Sequence, residues 1–125
     1  MRRDIYQEYT TWTPADANDL DFYFRPVPDD MILEITSPGL FAPNITKTQV
    51  VCFGIDNHGQ YLPYGSNLFT TTYKGGYVLQ GETQFLLYEH QRLQYKFLAV
   101  DAGVLYYFCL HGILYDAQEW KKGKD

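Results

Sequence analysis

The sequence is short of positive charge. Ten Lys and Arg stand against fifteen Asp and Glu, for a net charge of -5 over 125 residues. Modules that bind nucleic acid present a basic footprint, so nucleic acid is not an expected partner. Serine is scarce too: only Ser37 and Ser66 occur, and neither lies in a nucleophile-elbow motif. No run reaches the ~18 apolar residues of a membrane-spanning helix, so no membrane association is expected. The start, Met1-Arg2-Arg3-Asp4-Ile5-Tyr6-Gln7-Glu8, lacks the apolar stretch of a signal peptide. The expectation is a protein made in a cytoplasm and not secreted by such a signal. Asn44-Ile45-Thr46 matches a glycosylation sequon, which carries little weight without that signal.

Chemistry-bearing patterns are equally thin. His58, His90 and His111 show no metal-ligand spacing. Asp16, Asp19 and Asp21 form an acidic cluster without the glycine-turned pattern of a calcium loop. Pro63-Tyr64-Gly65 matches part of a cupin second motif, but the histidine that should follow is missing. Cys109 and His111 share one face of a strand, a pairing that can activate a thiolate. In an apolar strand, an inert buried thiol is the plainer reading. Cys52 lies in a similar run, and both cysteines are expected reduced and buried, with a strand-to-strand disulfide left as the alternative. The expectation is therefore no catalytic residue, no cofactor and no metal: not an enzyme.

What the sequence has is aromatics, at 18% of residues with twelve Tyr, and short apolar stretches broken by turn residues. Gly103–Tyr115 is the longest such stretch. Read with period two, one face carries Val104, Tyr106, Phe108, Leu110 and Leu114, and the other Leu105, Tyr107, Cys109, His111, Ile113 and Tyr115. A strand with one wet face alternates apolar with polar, and this one is apolar on both sides. Leu20–Arg25 alternates as a half-buried strand, Met31–Thr36 is another, and Ser37-Pro38-Gly39 opens a loop. Gln49–Ile55 is a strand, and Asp56-Asn57-His58-Gly59 a strong turn. Gln60–Leu62 resumes until Pro63-Tyr64-Gly65, and Asn67–Tyr73 and Tyr77–Gln80 follow. Residues 82–98 have helix-forming composition, yet Leu93, Tyr95 and Phe97 alternate with Gln94 and Lys96, so two strands over 84–89 and 93–100 are favoured. Asp101-Ala102-Gly103 is expected to join the second of these to Gly103–Tyr115 as a hairpin.

Many short strands at short spacing indicate an all-β antiparallel sandwich of jelly-roll or Greek-key type. Residues 20–115 are expected to form it, with 1–19 as an N-terminal arm and 116–125 as a charged tail. The doubled apolar face needs a second cover, supplied by the arm or by another subunit. This predicts a homo-oligomer, a trimer among the options, with Trp12, Leu105, Tyr107, Ile113 and Tyr115 at the interface. A second reading is a small carbohydrate- or ligand-binding module. In it, loop tyrosines stack on the ligand: Tyr61 and Tyr64 first, then Tyr73 and Tyr77.

The strand Phe22–Arg25, the hairpin Phe53-Gly54-Ile55-Asp56-Asn57-His58-Gly59-Gln60-Tyr61-Leu62, the segment Gly76–Glu82 and the ending Leu110-His111-Gly112-Ile113-Leu114-Tyr115 together resemble small β-sandwich virion proteins of tailed bacteriophages. The resemblance implies a non-catalytic capsid cement, decoration or fibre subunit of a virion, with a capsid protein among its partners.

Overall fold

The computed structural model describes residues 3–15, 20–69, 75–77, 85–98 and 100–122. Among the described residues, nine strands form two antiparallel sheets: β1 (Arg3–Trp12), β2 (Leu20–Tyr23), β3 (Met31–Phe41), β4 (Gln49–Asn57), β5 (Gln60–Phe69), β6 (Gly75–Tyr77), β7 (Phe85–Leu87), β8 (Arg92–Leu98) and β9 (Tyr106–Asp116). A short helix, α1 (Ala117–Lys121), follows. Sheet A runs β1-β9-β3-β6, with β7 also on β3, and sheet B runs β2-β8-β4-β5. Because β6 and β7 both lie on the same side of β3, each sheet has four positions. Every connection except β4–β5 and β6–β7 passes from one sheet to the other. That winding is the jelly roll.

The core lies between the sheets and is built from alternate residues of each strand. Tyr106, Phe108 and Leu110 of β9 and Leu93, Tyr95 and Phe97 of β8 are fully buried there. Phe22 stacks on Phe108 with ring centroids 3.7 Å apart and planes within 7°. Three buried polar groups tie the edges. Arg25 N–H donates to both carboxylate oxygens of Glu8, at 3.1 and 3.3 Å. Thr46 N–H donates to Asp101 at 2.6 Å. The Tyr106 hydroxyl accepts from Asp101 N–H at 3.1 Å and donates to Gln49 Oε1 at 2.7 Å.

Several sequence expectations hold. The period-two reading of β9 gives the correct inner and outer faces, and both 85–87 and 92–98 are strands rather than helix. The turn after β4 is a two-residue loop, with Asn57 facing Gln60 and positive φ at His58 and Gly59 (53° and 94°). Positive φ at both loop residues marks the type I′ turn that matches strand twist.

Other expectations are corrected. Residues 3–12 are not a loose arm but strand β1, in unbroken register with β9 from Arg3↔Tyr115 to Trp12↔Tyr106. This pairing satisfies β1 in the plane of the sheet, so β1 does not cover the outer face of β9. Asp101-Gly103 is not a hairpin: β8 lies in sheet B and β9 in sheet A. The turn is real, with Gly103 at φ 77°, but it redirects the chain across the sandwich. Strand β3 runs through Ser37-Pro38-Gly39 to Phe41, helped by a register shift between Ile35 and Ser37. Pro38 falls between the stretches paired with β7 (Leu33–Ile35) and β6 (Gly39–Phe41), where no ladder N–H is needed on that side. Likewise β5 continues through Pro63 because it is an edge strand with a bulge at Tyr64. Within the charged tail, residues 117–121 form α1, N-capped by Asp116, which accepts from Gln118 N–H and Glu119 N–H at 2.8 and 3.1 Å.

Candidate functional site

Residues directly opposite in an antiparallel ladder share a face. On the outer face of sheet A this sets Ile5, Gln7, Tyr9 and Thr11 of β1 beside Ile113, His111, Cys109 and Tyr107 of β9. Gly39 and Phe41 of β3 lie on the far side of Cys109 and Tyr107. The apolar members are exposed: Ile5 by 84%, Tyr9 by 63%, Phe41 by 52% and Tyr107 by 43%. Soluble monomers rarely leave such residues in one contiguous patch.

A groove of about 690 Å³ crosses this face, lined by Tyr9, Thr11, Gly39, Phe41, Tyr107 and Cys109 among others. Its floor is low because Gly39 has no side chain and Cys109 a short one, while the aromatic rings stand on either side. Phe41 and Tyr107 pack at 6.1 Å between centroids. Tyr9 meets His111 edge to face, with its hydroxyl 3.0 Å from Nε2. Burial pushes the Cys109 thiol pKa up, against a Gly39 backbone hydrogen bond that lowers it. A thiol held protonated is a poor nucleophile, so a Cys109–His111 catalytic pair gains no support.

The expected interface residues separate into two groups. Leu105 and Tyr107 are exposed, and Ile113 is half-buried on the same face. Trp12 points inward instead, among Phe22, Phe97, Tyr106 and Phe108. As an even-numbered residue of β1, it lies on the core face opposite Tyr106. Tyr115 is 7% exposed, covered by Trp120 of α1 at 4.8 Å and bonded through its hydroxyl to Glu34 at 3.0 Å. Neither side chain stands open on the outer face, whereas Ile5 and Phe41 do. Ile5 was hidden in a segment that looked uniformly polar, and Phe41 beyond an apparent loop.

The outer face of sheet B is different in character. Arg92 donates to Asp56 at 2.6 Å and lies 3.9 Å over the Tyr23 ring. Lys96 pairs with Asp21 at 3.4 Å and sits 4.9 Å from the Tyr61 ring. Tyr61 is half-buried, its hydroxyl enclosed without a hydrogen-bond partner, and Tyr64 stands exposed at the bulge of β5. The structure does not bring these two tyrosines into the aromatic groove. Tyr73 lies outside the described residues, as do Asp16 and Asp19 of the acidic cluster and the side chain of Tyr77.

Cys52 and Cys109 are free and half-exposed on the two opposite outer faces, not buried as expected and not paired. His90 bonds to Asp29 and lies 6.1 Å from His58 between ring centroids. Among the described residues, no group of three or more His, Cys, Asp or Glu is placed to hold a metal ion, and no helix is long and apolar enough to cross a membrane.

No protein-family model, curated protein or solved structure matches this chain.

Proposed function

We propose that this chain is a non-catalytic structural subunit, a jelly-roll block that associates with copies of itself inside a larger assembly. The observation that carries this reading is the apolar strip Ile5, Tyr9, Phe41 and Tyr107, exposed on a sheet whose other face is already core. Such a strip loses free energy to water, at about 25 cal/mol for each Å² of apolar surface left uncovered. A virion accessory role, cement or decoration on a capsid protein, is the assembly in which we place it. That placement rests on analogy of fold, since jelly rolls serve viral capsids as well as lectins and cupins.

Sedimentation of the full chain across a concentration series tests the self-association. The expected result is a mass above one 14.6 kDa chain, which Tyr107→Asp shifts toward monomer. A single-chain mass at every concentration, unchanged by Tyr107→Asp, overturns the reading.

The groove supports one alternative. Its volume of about 690 Å³ lies in the range of small-molecule sites, and aromatic walls suit an apolar or sugar-ring ligand. The ligand-binding reading thus moves from Tyr61 and Tyr64 to Tyr9, Phe41 and Tyr107. Saturable glycan binding lost on Tyr9→Ala favours it over assembly.

A further inference from the structure

We propose that a second copy of this chain adds to the free edge of β1, strand against antiparallel strand, about a two-fold axis at Gln7. The proposal rests on the self-association reading above and assigns it a distinct surface: the rim of sheet A rather than its outer face.

An unprotected sheet edge is a template for another strand, and proteins blunt their edges by shortness, proline, bulges or charge. Four edges can be compared here. On sheet B, β2 has four residues, and β5 carries Pro63 and a bulge. On the far edge of sheet A the described residues show β6 pairing Gly39–Phe41 and β7 pairing Leu33–Ile35, with Pro38 of β3 between them. Strand β1 is not short, has no proline and no bulge, and charge at Arg3, Asp4 and Glu8 is the one such device it carries. It has ten residues, no proline or glycine, and an unbroken ten-pair register with β9. Among the described residues no strand pairs with its other side. Among the described residues no other edge offers so long and unbroken a strand, which makes a second β1 the matching partner. Antiparallel self-pairing is the isologous contact that closes as a dimer.

The register follows from parity and charge. Outward residues of β1 are odd-numbered, and opposed residues must share a face, so the two numbers in each pair must have an even sum. A sum of 12 sets Asp4 against Glu8 twice, and a sum of 16 sets Glu8 against its own copy. Like charges directly opposed are destabilising. A sum of 14 avoids both. It places Gln7 on the axis and Ile5 against Tyr9 of the other copy, twice. Ile5 and Tyr9 are the two most exposed large hydrophobic residues of the described chain, at 84% and 63%. The pairing also joins the two apolar strips into one continuous surface.

A charge-swap experiment tests this in the full chain. Ile5→Lys alone and Tyr9→Glu alone should each weaken dimerisation by roughly tenfold. The double variant should restore it, because Lys at position 5 then faces Glu at position 9 of the other copy. The rescue cannot come from within one chain, since four residues along a strand span about 13 Å. A second measurement covers the case in which a charged variant fails to fold. In a chain with Cys52→Ser and Cys109→Ser, Gln7→Cys should oxidise to a covalent dimer. Opposed Cα atoms in a ladder lie about 4.5–5.5 Å apart, within disulfide reach. Thr11→Cys, which faces Arg3 of the other copy, should not. Dimers that ignore the position 5 and 9 variants but dissociate with Tyr107→Asp overturn the edge pairing and leave the face reading standing. A chain that is monomeric throughout overturns both.

Discussion

Glu8 of β1 holds the backbone of Arg25, at the exit of β2, through two contacts of 3.1 and 3.3 Å to its carboxylate. The carboxylate also accepts the Tyr6 hydroxyl at 2.6 Å, a bond that adds to burial in driving the Tyr6 pKa far above its ordinary value. One buried side chain thus clasps the open side of the sandwich, where sheet A and sheet B would otherwise part.

Replacing Glu8 by Ala leaves the Arg25 N–H without its partner. Hydrogen bonds to a charged group contribute about 1.5–3 kcal/mol, and a loss in that range is expected from urea unfolding midpoints. Hydrogen exchange at the Arg25 amide should accelerate more than at the centre of β9. Unchanged exchange at Arg25 would contradict the clasp.

Tyr106 relays one hydrogen-bond chain from the Asp101 backbone to Gln49 at the margin of the core. Tyr106→Phe keeps the ring and removes the relay, leaving two buried groups unmatched. The expected cost is about 1–3 kcal/mol. The Gln49→Leu, Tyr106→Phe double variant should recover part of it, since the carboxamide that needs the hydroxyl is then gone. Additive losses in the double variant would show that the two residues act separately.

His90 is bonded to Asp29, and that bond, with the nearby charge of Glu89, raises the His90 pKa. A pKa raised by folding means stabilisation that is complete below the unfolded value of about 6.5. It fades as pH climbs through the folded value. An NMR titration should place the His90 midpoint above 6.5, and Asp29→Asn should lower it toward that value. Because both side chains are largely exposed, the effect on overall stability is small, and the titration itself is the decisive readout. A wild-type midpoint at or below 6.5 would rule the interaction out.

Much of the architecture was legible because alternation is a direct trace of burial. Tyr106, Phe108 and Leu110 pointed one way in the sequence and do so in the fold, and His58-Gly59 carried its turn in its own conformational preferences. The winding was less legible. Asp101-Ala102-Gly103 specifies that the chain turns, but turn chemistry holds no information on which sheet receives the next strand. Strand β1 escaped notice because its pattern is inverted. Its exposed face holds Ile5 and Tyr9, while its inner face holds Asp4 and Glu8, so period-two reading finds no apolar stripe to bury. Trp12 misleads for the same reason: in a polar segment, a lone indole looks like an anchor for a neighbour. Period two puts Tyr115 outward, as the fold does, but its cover is Trp120, in a stretch whose charges mask a helix.

The pairing of β1 with β9 also sets an order in time. Tyr9 and His111, which touch across that ladder, lie 102 positions apart. At ribosomal rates of about 5–20 residues per second, the partner strand follows on the order of 5–20 s after β1 is made. The β4–β5 hairpin of sheet B and the pairing of β3 with β6 and β7 in sheet A can begin well before then, whereas β1 must wait for β9. Through that interval residues 3–12 have no ladder partner from β9. A chaperone that shields nascent strands should therefore act on the first dozen residues, and a ribosome stalled before Tyr106 should hold a half-built molecule prone to trapping by its neighbours.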